Sequence, residues 1–487
     1  MKVLLVYPPS GFNTKELMPP LGLAYIAAVL EEGNIEVEVV DAEVERLSWK
    51  ALQKRYNESQ PDLIGITSLT ESRYESFKCA EIAKQALSDS TVVMGGPHVS
   101  LTPDDTLAHI PSVDVIVRGE GEHTIKQLCE VLQTTGDLHC VDGISFREEG
   151  KIIHNKTRQW IQDLDTLPLP ARHLLPLDKY NFRLNVPEKG KLPATNVITS
   201  RGCPIGCSFC ATSNMLGKRW RARSPSNVIL ELEHLVERYG TKAIFFYDDI
   251  FTMDKKRTVE LCNLMIERGL ELNYICMTRV DTLDKPLLTK MKESGCYRIH
   301  YGVESGSQKI LDNIVEKKIK LNQVKQVSKW LDELGIIKNA FFIVSFPEET
   351  QEDVNKTLAL MNDLGGEPSL SFLKIYPGTE IERMARLKRI LPADFSWAKE
   401  SRSAIFSIPI IQGNVPLFID KLTWNDLCEI AIKWAEMRND YSIFSRVKDV
   451  LGNLRSYEDI RRIAIFFGIY VKRKMGFKNV ADGKKEA

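Results

Sequence analysis

Cys203, Cys207 and Cys210 stand in the stretch Arg201-Gly-Cys-Pro-Ile-Gly-Cys-Ser-Phe-Cys-Ala211, a C-x3-C-x2-C array. Three thiolates at this spacing can hold three irons of a 4Fe-4S cluster and leave the fourth iron open to a ligand from outside the protein. Two other readings stay open at this point. Zinc also takes thiolates, although a structural zinc usually has four protein ligands, and the next histidine, His234, falls inside a helical pattern. Chance clustering is the other, since the chain has 10 cysteines and the remaining ones are scattered at 79, 129, 140, 262, 276, 296 and 428.

The elements that must position these thiols form a repeating pattern. Strand-like runs at 194–199, 243–247, 272–278, 297–303, 338–344 and 369–375 follow one another with a helical segment before each of the later ones. Ser224-Pro225 opens one such helix, its apolar face is Val228, Ile229, Leu232, Leu235 and Val236, and Gly240 closes it. Six βα units are too few for a closed eight-stranded barrel and suit an open, partial one. In parallel α/β architectures the chemistry sits at the carboxyl ends of the strands. Those ends carry the cysteine loop, Tyr247-Asp-Asp-Ile-Phe251, Thr278-Arg-Val-Asp281, Gly302-Val-Glu-Ser-Gly306, Ser345-Phe-Pro-Glu348 and Tyr376-Pro-Gly-Thr379.

This order of motifs resembles the radical S-adenosylmethionine (SAM) superfamily. The resemblance implies that Cys203, Cys207 and Cys210 ligate the cluster. Its free iron would chelate the amino and carboxylate groups of SAM, whose reductive cleavage yields a 5′-deoxyadenosyl radical. It further implies that Phe209 borders the adenine. Asp248 and Asp249 lie where the superfamily usually has Gly-Gly-Glu, and a carboxylate there can accept hydrogen bonds from the cofactor's ammonium. Glu304 and Ser305 occupy the place of ribose and carboxylate contacts, with Arg279 a further candidate. Ser345 stands where a glycine is usual. Taken residue by residue, Asp248 could instead cap a helix, Arg279 pair with Asp281, and Glu304 be a solvated loop residue. Cys296 starts a strand and reads as packing.

Residues 1–150 also alternate β-branched runs, at 2–7, 35–40, 63–67, 91–94 and 113–117, with amphipathic segments. That is the pattern of a doubly wound parallel sheet. The turns after its strands resemble the cobalamin-binding domain that precedes many radical SAM enzymes, with Ser68, Thr70, Gly95 and Gly96 at the positions lining the channel for the nucleotide tail. Glycines admit close approach of a bulky ligand, and a hydroxyl can bond a buried base. The loop 8–13 has no D-x-H-x-x-G, so the expected cobalamin has no lower histidine ligand; the alternative is a degenerate domain that binds nothing. His98 reads as a loop residue rather than a cobalt ligand.

Between the two units, the prolines of 151–190 suggest an extended connector. Residues 391–487 read as a mainly helical region dotted with Trp397, Trp424, Trp434, Tyr441, Phe444, Phe466 and Phe467, serving as a lid or shaping the substrate pocket. The apolar run 463–471, flanked by Arg461, Arg462, Lys472, Arg473 and Lys474, reads as a short core helix, with a membrane-surface contact and a lipid substrate as its alternative. Lys+Arg and Asp+Glu both number 65, so nothing in the charge balance points to nucleic acid. The N-terminus has no signal-peptide pattern, and the cysteines form no disulfide framework, which together make the cytoplasm the expected location.

The expectation is therefore a cobalamin-dependent radical SAM enzyme. It would methylate an unactivated carbon of a small molecule or lipid, with an external electron donor such as flavodoxin or ferredoxin. A radical cyclase or rearrangement enzyme without methyl transfer is the first alternative, and a non-enzymatic cobalamin or redox sensor the second.

Overall fold

Two parallel sheets face each other across a seam in the computed structural model, which describes residues 1–9, 17–401, 415–438 and 457–474. The first sheet contains β1 (Lys2–Tyr7), β2 (Glu36–Asp41), β3 (Leu63–Thr67), β4 (Thr91–Gly95) and β5 (Val115–Val117), parallel in the order β2-β1-β3-β4-β5. Side chains alternate across a strand, so β1 feeds two cores. Val3 and Leu5 pack with helices Leu21–Glu32 and Glu122–Gln133, while Leu4 and Val6 pack with Trp49–Ser59 and Arg73–Ala86. Burial on both faces explains why these strands are apolar almost throughout.

An antiparallel hairpin that the sequence did not announce, β6 (Ile144–Glu148) and β7 (Lys151–His154), extends this sheet. Its turn uses Glu149 at φ 48° and Gly150 at φ 78°. That is not an Asn-Gly or Asp-Gly pair, the signal by which short hairpins are recognised.

The second sheet follows with β8 (Arg183–Val186), β9 (Gly190–Val197), β12 (Ala243–Phe246), β13 (Asn273–Thr278), β14 (Cys296–Glu304), β15 (Ile337–Val344) and β16 (Ser369–Phe372), in the order β8-β9-β12-β13-β14-β15-β16. The strands from β9 to β16 are parallel, and β8 joins as an antiparallel edge. This is the expected partial (βα)6 barrel. A two-stranded ladder of β10 (Ser200–Arg201) and β11 (Arg221–Ala222) brackets the cysteine loop.

The helices opposite the open side bury alternate residues of each strand, among them Ile244, Phe246, Tyr274, Cys276, Ile299, Tyr301, Phe342 and Val344. Cys296 belongs to the same core, which agrees with its reading as packing. Trp397 departs from the expectation of an aromatic-dotted helix. It lies in irregular chain, buried at the edge of the barrel core against the first domain, its carbonyl accepting a bond from Arg73 Nε at 2.8 Å. Helices Trp424–Met437 and Tyr457–Lys474 pack together through Cys428, Ile432, Ala435 and Phe466. Tyr441 and Phe444 lie outside the described residues. Among the described residues no helix is long and apolar enough to cross a membrane.

Candidate active site

The cysteine loop is tied to the barrel from several sides. Gly202 adopts φ 87°, and a Cβ there would run into the backbone of Arg219, so only glycine can begin the loop in this way. Ser208 N donates to Val315 O at 3.2 Å, and Ser208 O accepts from Ile381 N at 3.2 Å. Inside the loop Cys210 N donates to Cys207 O at 3.0 Å. Phe209 meets Phe346 edge to face, with centroids 6.0 Å apart, which holds its ring at the end of β15.

The thiols lie among charged groups from other strand ends. Burial pushes the Cys207 thiol up to about 11; Lys317 and Arg279 oppose the rise, and Glu304 adds to it. Burial also raises Cys210, against hydrogen bonds from Thr212, with Asp249 and Cys203 adding to the rise. Iron binding would exchange such protons for metal. Among the described residues no three His, Cys, Asp or Glu side chains converge tightly enough to hold a single metal ion. A cubane cluster asks for less convergence, because each thiolate binds its own iron at a different corner. A donor set of three thiols on one short loop, bordering a cavity of about 510 Å3 lined by Cys207 and Cys210, fits that group.

The two aspartates have different surroundings. Asp248 is fully buried and accepts hydrogen bonds from Thr199 N at 2.6 Å, Thr199 Oγ1 at 2.5 Å and Ser200 Oγ at 2.8 Å. Both of its oxygens are engaged, so the expectation that it meets a cofactor ammonium gives way to a positioning role: it pins the chain entering the cysteine loop. Asp249, the next residue, is reached by solvent although protein packs around it. Burial there, and then the neighbouring Asp248, push its carboxyl up to about 6. Thr212 Oγ1, from the turn after Cys210, reaches it at 3.4 Å.

At the fourth strand end, Glu304 is buried at φ 73° beside a register shift between β14 and β15. It accepts a hydrogen bond from Lys317 Nζ at 2.5 Å. A Cβ on Gly302 would collide with both members of this pair, so the missing side chain is the space they occupy. Glu304 is therefore no solvated loop residue. Arg279 makes a fork to Asp281, at 2.9 and 2.8 Å, and donates to Lys317 O at 2.7 Å. Ser305 is engaged by its neighbours: its Oγ lies 3.4 Å from Thr357 Oγ1 and accepts from Ser307 N at 3.1 Å. Ser345, at φ 78°, explains why glycine is usual there, since L residues rarely adopt that conformation. Lys317 escaped the sequence reading. It follows no strand directly, and only the fold back of its loop brings it to Glu304.

In the first domain, Ser68 is buried and its Oγ has no partner among the described residues. Gly95 beside it has room, a Cβ meeting nothing closer than 3.8 Å. An orphaned hydroxyl next to open backbone fits a buried nucleotide tail. Gly96 serves another purpose. At φ 97°, its Cβ would crowd Ser68 O and Thr67 Oγ1 at 2.9 Å, so glycine lets these two turns pack. Thr70 Oγ1 is 3.2 Å from Nδ1 of His98, and the His98 ring is walled by Phe77 and Trp397 at 6.0 Å each. Burial and then Arg73 hold this histidine well below its usual pKa. Instead of the expected loop position, it lies buried in helix Pro97–Leu101. The loop at 10–13, expected to lack a cobalt ligand, lies outside the described residues.

The two sets of loops meet. Helix Pro97–Leu101, after Gly95-Gly96, packs on helix Thr212–Met215, after Cys210. Tyr376 OH donates to Glu71 Oε1 at 2.5 Å, and Gly378 lies against Leu101.

Comparison with known proteins agrees with this two-domain fold. The B12 binding domain family matches residues 11–129, and the Radical SAM superfamily matches residues 197–361. An uncharacterized methyltransferase of Pyrococcus horikoshii is 37% identical over 82% of this chain and 86% of its own. The anaerobic magnesium-protoporphyrin IX monomethyl ester cyclase of Rubrivivax gelatinosus is 30% identical over 74% of this chain and 66% of its own. Among solved structures, the radical SAM methyltransferase TsrM from Kitasatospora setae, with cobalamin and a [4Fe-4S] cluster bound, has a TM-score of 0.72 at 19% identity, covering 96% of this chain and 99% of that one. The chain belongs to the radical S-adenosylmethionine superfamily, in the branch that carries a B12 binding domain ahead of the radical SAM domain.

Proposed function

We propose that this protein is a cobalamin-dependent radical SAM methyltransferase acting on an unactivated carbon of a small molecule or lipid. When bound, the cluster with SAM supplies a 5′-deoxyadenosyl radical and cobalamin supplies the methyl group. Cys203, Cys207 and Cys210 would hold the cluster. Phe209, Asp249 and the Glu304–Lys317 pair would surround SAM, while Arg279 and Asp248 keep Lys317 and the loop entry in place. Ser305, turned toward Thr357, is left a supporting role. Ser68, Thr70 and Gly95 would receive the cobalamin tail, with Gly96 shaping their turn. The reducing electron would come from an external donor of the flavodoxin or ferredoxin type, in the cytoplasm.

The observation that carries this reading is the seam itself. The carboxyl ends of both parallel sheets point at each other, and the turn after β4 packs on the turn after Cys210. One sheet thus offers the cofactor of radical initiation and the other a second cofactor across a short gap, the arrangement a two-cofactor transfer needs. The cyclase reading shares the architecture and differs in the product.

Anaerobic reconstitution with iron, sulfide, cobalamin and SAM tests the proposal. The wild type is expected to show a bound-cobalamin spectrum and to release 5′-deoxyadenosine on reduction. The Cys203→Ala/Cys207→Ala/Cys210→Ala variant should keep the cobalamin spectrum and lose more than about 100-fold in 5′-deoxyadenosine. Cluster-loaded, reduced protein that forms none would support the sensor reading instead. A product heavier by one methyl substitution separates transfer from cyclisation.

A further inference from the structure

The inner face of the half-barrel forms a cup. Along β15 half-buried Ile337, Asn339, Phe341 and Ile343 alternate with buried Lys338, Ala340, Phe342 and Val344. The same alternation sets half-buried His300 against buried Ile299 and Tyr301 on β14, and half-buried Phe245 against buried Ile244 and Phe246 on β12. The residues pointing inward keep access to solvent because no further strands close the barrel. The lower end is shut: Val186, Ile275 and Tyr297 are buried there with half-buried Leu184, Leu192 and Ile337 packed against them, so the hairpin β8–β9 makes an apolar floor. The rim carries the cysteine loop and Asp249.

One wall of this cup is a run of rings. Tyr247 and Phe245 meet edge to face at 5.1 Å, Phe245 and His300 are tilted at 5.8 Å, and His300 and Phe341 meet edge to face at 5.5 Å. Tyr247, at the rim end, is 47% exposed among the described residues, a large aromatic surface. Among the described residues the wall offers no free cation. Arg298 is spent in an ion pair with Glu367. Burial, and then Arg298, push His300 down to about 4, so its imidazole is neutral at ordinary pH. Its Nε2 is buried and has no hydrogen-bond partner among the described residues.

We propose that this wall is the substrate subsite, and that it takes an uncharged, ring-bearing, largely apolar molecule stacked against Phe245 and Phe341 with one polar group bonded to His300. The proposal rests on the radical SAM reading, which makes the cup the place for a substrate. A carboxylate or phosphate would lose its hydration there without gaining a cation, which disfavours charged substrates. Rings at mixed edge and tilted angles complement a flat face better than a flexible acyl chain. Neutral imidazole can either donate or accept, so an alcohol, ketone or ring N–H would serve as the polar group.

Equilibrium dialysis of the full chain tests this without any cofactor, using 1-naphthol, naphthalene, decahydro-1-naphthol and 1-naphthoate as probes. The expected result is saturable binding of 1-naphthol at least 10-fold tighter than 1-naphthoate and at least 3-fold tighter than the saturated alcohol. Phe341→Leu should weaken 1-naphthol at least 5-fold. His300→Phe keeps a ring in place and should abolish the preference for 1-naphthol over naphthalene, a ratio that a merely structural role would leave unchanged; circular dichroism and melting check that both variants fold. No saturable binding of 1-naphthol, equal binding of 1-naphthoate, or unaltered ratios in both folded variants overturns the proposal. Release of 5′-deoxyadenosine by the reconstituted wild type reports on the radical SAM reading alone, so the two failures are told apart.

Discussion

Glu349 shows how one residue holds a strained turn. Its Oε2 accepts from Ser345 N at 2.5 Å and Phe346 N at 3.0 Å, while Oε1 is buried without a partner among the described residues. These bonds fix Ser345 in its left-handed conformation and so set where Phe346, the neighbour of Phe209, stands. Burial pushes the Glu349 carboxyl up to about 8, against the two backbone bonds. The folded pKa lies above the unfolded one, so this group's contribution to stability is complete below about pH 4.5 and is lost as pH rises through about 8. Glu349→Gln cannot ionise and keeps an acceptor for both N–H groups. We expect the variant to match the wild type near pH 4.5 and to exceed it near pH 8 by on the order of 2 kcal/mol, read by urea unfolding at the two pH values. Sequence alone identified Ser345 as an odd substitute for glycine; that Glu349 compensates for it depends on burial, which no local pattern encodes.

At the scale of elements, the strand ends work because helices and strands approach one another closely at a few points. A Cβ on Gly306 would meet the backbone of Lys356 and Thr357 at 2.5–2.6 Å. Helix Gln351–Leu364 therefore rests directly on the turn that carries Glu304, and Gly306 N donates to Thr357 Oγ1 at 2.9 Å. Gly306→Ala should push this helix outward, cost about 1–3 kcal/mol in urea unfolding, and lower iron bound per chain after reconstitution. The strands themselves were legible, since apolar runs between capped helices leave little ambiguity; the cap at Ser224, whose Oγ accepts from Asn227 N, is an instance. The hairpin β6–β7 was not, because its turn residues lack the usual pair. Trp397 was misread because aromatic residues look alike in a helix and in a strap that lies across another domain.

Across the whole molecule, buried ion pairs clamp the cysteine loop to the first domain. Arg201, the residue that opens the loop, bonds Glu120 at 3.0 Å and Glu122 at 2.7 Å, and Arg221 at the loop's far side bonds Glu120 at 2.8 Å. Burial raises the Glu122 carboxyl, but Arg201 overcomes this and holds it below its ordinary value. That contribution is present above about pH 4.5 and is lost as pH falls through the depressed value. Arg201→Leu leaves a buried carboxylate uncompensated and should cost about 3–5 kcal/mol at pH 7, with a smaller loss in the Arg201→Leu/Glu122→Gln pair. Thermal unfolding of the two variants checks this, and coupling of the domains predicts that Arg201→Leu also loosens cobalamin binding.

The sequence by itself determined the chemistry and its order along the chain. Cysteine spacing is a local property, and parallel strands deliver their following residues to one end whatever the detailed packing. The tertiary structure decided which of those residues face the cleft. Asp248 and Ser305 turned inward to bond Thr199, Ser200 and Thr357, Gly96 proved to serve turn packing, and Lys317 came in from a loop 13 residues beyond Glu304. The physical reason is that orientation and partner choice depend on contacts between segments far apart in the chain, and these exist only once two sheets have folded and met across a common seam.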